Sequence, residues 1–85
     1  NIMTYTYCMR EDTVHGEEGK AYIAYGIDAI SSEGEMLLSF SDVFFDKDSA
    51  ERFTALCNGG GLPLYQLPEA IEDALAQEEN AEAVD

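Results

Sequence analysis

The stretch Lys20-Ala21-Tyr22-Ile23-Ala24-Tyr25-Gly26-Ile27-Asp28-Ala29-Ile30, followed by Ser31-Ser32-Glu33-Gly34 and then Glu35-Met36-Leu37-Leu38-Ser39-Phe40, decides the fold. Large apolar residues recur at every second position, the period of a half-buried strand. Over residues 20–30, Ile23, Tyr25 and Ile27 form the stronger face, flanked by Ala21 and Ala29, with Tyr22, Ala24, Gly26 and Asp28 opposite. The four-residue link is a compact turn in which Gly34 suits a left-handed backbone. A third strand is expected over residues 35–44, with Met36, Leu38 and Phe40 on one side and Leu37, Ser39 and Ser41 on the other. Upstream, residues 3–10 alternate in the same way, setting Met3, Tyr5, Tyr7 and Met9 against Thr4, Thr6, Cys8 and Arg10. Residues 12–19, polar and carrying two glycines, read as an exposed hairpin loop. Connections this short make the three strands an antiparallel meander.

The apolar side of that sheet needs a cover, and the rest of the chain supplies two helices. Asp48 with Glu51 fits a capping box in which an acid takes the cap position. Ala50, Phe53, Leu56 and Cys57 then fall on one stripe, and Asn58-Gly59-Gly60-Gly61 stops the helix. After a turn around Pro63, a second helix starts near Pro68, because proline suits a first turn. Leu67, Ile71, Ala74 and Leu75 are its buried stripe, and Glu69 and Glu72 favour the positive end of its dipole. The expected class is α+β, a three-stranded antiparallel β-meander with two C-terminal helices packed on one face (β-β-β-α-α). Those helices are expected to seal the sheet and leave no cleft.

Residues 3–77 read as a single domain. Asn1 and Ile2 read as an artificial extension before Met3, the natural start, and residues 78–85 as an acidic, disordered tail. At 85 residues the chain has room for one modest core, which excludes doubly wound nucleotide folds and barrels. Hydrophobic residues make up 46% of it, too many for a chain that stays unfolded.

The segment Val43-Phe44-Phe45-Asp46-Lys47-Asp48-Ser49-Ala50-Glu51-Arg52-Phe53 leads through Leu56-Cys57-Asn58 to Gln66-Leu67-Pro68-Glu69-Ala70-Ile71-Glu72-Asp73-Ala74-Leu75. With Tyr25-Gly26-Ile27 ahead of it, this pattern resembles a family of small, functionally uncharacterised bacterial proteins in which a Tyr-Gly-Ile strand precedes a helical pair. The resemblance implies the fold and carries no activity with it. The chain departs from that pattern at Gln66, where a His is expected before Leu, and at Pro68, where a non-proline is usual.

Charge narrows the choice of partner. Eighteen acids against four bases give a net charge of −14, and Arg10, Lys20, Lys47 and Arg52 are too few to neutralise a phosphate backbone or dock on an anionic membrane. The expectation is no nucleic acid and no membrane. Neither a run of 18 apolar residues nor a basic-then-apolar leader occurs, so the cytoplasm is the expected compartment. In its reducing conditions Cys8 and Cys57 are expected as free structural thiols.

Chemistry is sparse. The glycine run follows a helix instead of preceding one, the wrong arrangement for a phosphate cradle. Glu69, Glu72 and Asp73 offer at most a weak, non-selective cation affinity, and Asp42, Asp46 and Asp48 lack the glycine and distal glutamate of a calcium loop. His15, the only histidine, is expected as an exposed, inert imidazole in the hairpin loop, with no nucleophile beside it. No cofactor and no catalytic residue are expected, and the chain is read as no enzyme. Tyr5, Tyr7 and Tyr25 are expected in the core, while Tyr22 and Leu37 mark a small, mildly apolar outer sheet face. That face suits a partner protein or a second copy of the chain, so the functional expectation is a protein–protein interaction or regulatory module. Glu69, Glu72 and Asp73 form the alternative contact. Rival expectations are an acidic decoy for a basic nucleic-acid-binding protein and a small-ligand or enzymatic domain.

Overall fold

The structure is a computed structural model and describes residues 4–83. Three strands precede two helices: β1 (Tyr5–His15), β2 (Ala21–Ser31), β3 (Met36–Phe44), α1 (Lys47–Gly59), a single 3-10 turn (Leu64–Gln66) and α2 (Leu67–Ala83). The strands form one antiparallel sheet in the order β1-β2-β3. The chain is therefore an α+β meander with its helices at the C-terminal end.

The β1–β2 ladder is unbroken from Tyr5↔Ser31 to His15↔Ala21, so residues 12–15 are strand where their polarity reads as loop. Thr13 and Val14 are β-branched and pair with Ile23 and Tyr22, which is enough to carry β1 to His15. The connection shrinks to residues 16–20, closed by Gly16 N–H donating to the Lys20 carbonyl at 2.8 Å. Met3, expected at the start of this strand, lies outside the described residues, as do Asn1 and Ile2.

The β2–β3 ladder has two register shifts. Tyr25 faces Phe44 and Ile27 faces Phe40, so β3 carries extra residues opposite Gly26, and Asp42 among them takes a left-handed backbone with φ 59°. A second shift lies where Ala29 faces Leu38 and Ile30 faces Met36. An extra residue reverses which side the next side chain takes. Leu37, expected on the outer face, instead packs half-buried against the core, and Met36, expected inside, is 56% exposed.

The core is Tyr7, Ile27, Ala29 and Phe44 from the sheet, Ala50, Phe53 and Cys57 from α1, and Leu67 and Ile71 from α2. Phe44 and Phe53 meet at 5.5 Å between ring centroids. The N-cap of α1 is Asp46, two residues before the expected Asp48. Its carboxylate accepts from the Ser49 backbone N–H at 2.9 Å and the Ser49 hydroxyl at 3.0 Å, so Ser49 takes the third helical position expected for Glu51 and braces the cap carboxylate in place of the reciprocal bond of a capping box. The other end of α1 closes as the glycine run demands. Gly61 takes φ 63°, Leu62 N–H donates to the Cys57 carbonyl at 3.0 Å, and Gly61 N–H donates to the Asn58 carbonyl at 3.3 Å.

Helix α2 continues to Ala83, so residues 78–83 are helical where a disordered tail was expected; residues 84–85 lie outside the described part. Glutamate and alanine are strong helix formers, and no Gly or Pro interrupts this segment. The radius of gyration, 14.0 Å, exceeds the roughly 12 Å of an average domain of this length. The distal β1–β2 hairpin, which β3 does not pair, and the long α2 account for the difference.

Gly26 is the tightest point of the sheet. A Cβ there would sit 2.6 Å from the Phe40 carbonyl oxygen, 3.0 Å from Arg10 Nη2 and 3.2 Å from Ser41 Cα. Two of these neighbours are backbone and have little freedom to retreat. Gly26→Ala is expected to cost about 1–3 kcal/mol, read as a lowered midpoint in urea denaturation.

Candidate functional site

Three places bring polar or exposed apolar groups together. The first is the outer sheet face. Arg10 lies opposite Gly26 and Cys8 opposite Asp28, so the Arg10 guanidinium crosses the gap above Gly26 to reach Asp28 diagonally. Arg10 Nη1 donates to Asp28 Oδ1, Arg10 Nε to Asp12 Oδ2 at 2.8 Å, and Ser39 Oγ donates to Asp28 Oδ1 at 2.6 Å while accepting from Arg10 Nη1 at 2.9 Å. Asp28 is only 5% exposed. Its carboxylate, followed by that of Asp12, holds the guanidinium pKa above its ordinary range. The outer face is thus a closed charge network and not the mildly apolar surface expected from Thr4, Thr6, Ala24 and Leu37. Both charges stand in the alternation; what the period leaves out is that a glycine between them lets them meet.

Tyr22 does lie on this face, 37% exposed. Its ring meets that of Phe45 edge-on at 5.7 Å, and its hydroxyl donates to Asp42 Oδ2 at 3.1 Å. Phe45 is 74% exposed. Tyr22 and Leu37 do not form one patch. Leu37 belongs to the end of the sheet near Ala29 and Ile30, about 25 Å along the strands from Tyr22.

The second place is the junction of β1 with the loop after α1. Asn58 Oδ1 accepts the Tyr7 backbone N–H at 2.8 Å, and Asn58 Nδ2 donates to the Tyr7 carbonyl at 2.9 Å. The hydroxyls of Tyr5 and Tyr7 both donate to the Leu62 carbonyl, at 3.1 and 2.6 Å, and Tyr5 accepts from Leu64 N–H at 3.1 Å. Tyr5 and Tyr7 are inside the fold as expected, and their phenols serve as fasteners. Asn58, read in the sequence only as part of a helix stop, is a side chain acting as a strand.

The third place is a furrow of about 360 Å³ between α1 and α2, lined by Phe53, Leu56, Leu62, Pro63, Ala70 and Ala74. It corrects the expectation that the helices seal the sheet and leave no cleft. Leu56, expected in the core stripe, is 75% exposed, because the sheet takes up only Ala50, Phe53 and Cys57 from α1. Cys57 lies at its floor, and burial pushes the thiol pKa up, the opposite of what a nucleophile needs. Both cysteines are free.

Glu69, Glu72 and Asp73 are exposed on α2. Among the described residues no three His, Cys, Asp or Glu side chains converge on a point that would hold a metal ion, and the ion pairs found both belong to Arg10. His15 is exposed at the end of β1. No described helix is long and apolar enough to cross a membrane.

No family model, curated protein or solved structure matches this chain. The resemblance drawn from Tyr25-Gly26-Ile27 and the helical pair therefore rests on those residues alone.

Burial, and then the neighbouring Tyr5, push the Tyr7 phenol up to about 12 from its ordinary 10.0. The folded chain holds this proton more tightly than the unfolded one, so the stabilisation is complete below pH 10 and is lost as the pH climbs through 12. Thermal denaturation over that range should show a steeper fall of Tm for the wild type than for Tyr7→Phe.

Proposed function

We propose that this chain is a small interaction module without catalytic chemistry, which acts in the cytosol and receives a basic, amphipathic helix of a partner protein in the furrow between α1 and α2. The observation that carries this reading is Leu56. A large aliphatic side chain 75% exposed beside Phe53, Ala70 and Ala74 forms an apolar stripe that none of the described residues covers, the surface that helix-in-groove recognition uses.

Charge selects the occupant. Ile71 faces the core on one side of the Ala70–Ala74 row, so Glu69 and Asp73 flank that row on its solvent side. Neither acid is paired with a base among the described residues. A partner helix that sets leucines into the furrow and Lys or Arg over Glu69 and Asp73 gains both burial and long-range attraction. This keeps Glu69 and Asp73 as contact residues, leaves out Glu72 on the far side of α2, and moves the apolar anchor from the outer sheet face to α1.

A second reading, capture of a basic nucleic-acid-binding protein by charge alone, is favoured by the net charge of −14. Leu56→Glu separates the two, because it removes the apolar anchor while adding an acid. Titration with a Leu/Lys amphipathic helical peptide, followed by calorimetry, should show Leu56→Glu weakening the complex by about 1–2 kcal/mol, with most of the wild-type affinity surviving added salt. Unchanged or tighter binding by the variant, abolished by salt, would favour the charge-only reading.

A further inference from the structure

The edge of β1 has one feature that the furrow does not use. β1 is an outer strand of the sheet, and the Asn58 carboxamide takes both the N–H and the C=O of Tyr7 on the side away from β2. In an antiparallel strand these groups alternate sides with a period of two. The N–H and C=O of Met9, Glu11 and Thr13 therefore point the same way as those of Tyr7. No protein group bonds them among the described residues. The opposite edge is different: β3 is broken by two register shifts and by Asp42 with φ 59°, devices that blunt an edge against added strands. One edge is blunted; the other is plugged at Tyr7 and open beyond it.

We propose that the open edge of β1, from Met9 to Thr13, is a β-addition site for an extended, basic segment of a partner protein, which continues the sheet from the position that Asn58 already fills. Main-chain bonds to Met9, Glu11 and Thr13 supply the register. The side chains beside them set the sequence: an apolar residue next to half-buried Met9, Lys or Arg next to exposed Glu11, and a β-branched residue next to Thr13. Glu11 is in no ion pair among the described residues, whereas Arg10 is held by Asp12 and Asp28 and does not oppose an incoming base. A second copy of this chain fits poorly. Pairing centred on Glu11 sets two carboxylates opposite each other, between chains that each carry −14. The inference rests on the strand edge and is independent of the helix furrow.

The test is NMR of the ¹⁵N-labelled full chain titrated with a short peptide of alternating Lys and Val. The amide signals of Met9, Glu11 and Thr13 should shift and exchange more slowly with solvent, while that of Tyr7 keeps its position. Glu11→Pro removes one outward donor and none of the bonds to β2, and should lower the affinity about tenfold. Glu11→Lys keeps the backbone and should lower it as well through reversed charge. Leu56→Glu should leave it unchanged, which keeps this result separate from the fate of the furrow. Shifts confined to Leu56, Ala70 and Ala74 would overturn the proposal, as would unperturbed Met9, Glu11 and Thr13 amides at peptide excess. So would a sedimenting dimer in which those amides are already protected in the free chain.

Discussion

One side chain joins the two halves of this molecule. The Asn58 carboxamide bonds both backbone groups of Tyr7, a residue 51 positions earlier, in the way a neighbouring strand would. The hydroxyls of Tyr5 and Tyr7 then fasten the loop that follows through the Leu62 carbonyl. Closing so long a loop costs conformational entropy, and no local preference brings its ends together. Several geometrically specific bonds at one point offset that cost and set the direction in which the chain leaves α1. The placement of Leu64–Gln66, the approach of α2 and the width of the furrow all follow from that exit.

The same junction explains why α2 is held only partly. Leu67 and Ile71 reach the core, whereas Ala70 and Ala74 stay half-buried beside an exposed Leu56. A helix anchored by its first turns at a fixed point leaves its neighbour's flank open. A small sheet, pinned at one edge and irregular at the other, thus presents an apolar furrow on the helical side and an unpaired backbone row on β1.

Much of this was legible in the sequence, and the rest was hidden for identifiable reasons. The period of two over residues 20–40 and the stripe Ala50-Phe53-Cys57 settle the element order, because they report which faces are buried. The glycine run declares the end of α1, because a left-handed residue is needed there. Periodicity has only parity to offer, however; the shift near Gly26 adds two residues and keeps parity, whereas the single extra residue between Ala29 and Ile30 reverses it, and Leu37 and Met36 exchange sides for that reason. Leu56 sits on the apolar stripe of α1, yet the sheet is too narrow to cover four positions of it. The Asn58–Tyr7 contact has no local signature at all, since half of it is backbone. The charge of residues 12–15 suggests a loop, whereas the β-branched pair Thr13-Val14 carries the strand through them, and in residues 78–83 helix propensity outweighs an acidic composition that suggests disorder.

The central claim, that the Asn58 carboxamide holds sheet and helices together, is tested most directly by the stability of Asn58→Asp in urea denaturation. The substitution keeps an acceptor for the Tyr7 N–H and replaces the donor to the Tyr7 carbonyl with a second acceptor. The account predicts a loss of about 1–3 kcal/mol, the cost of leaving a partly buried carbonyl facing an oxygen. A midpoint and slope indistinguishable from the wild type would contradict it.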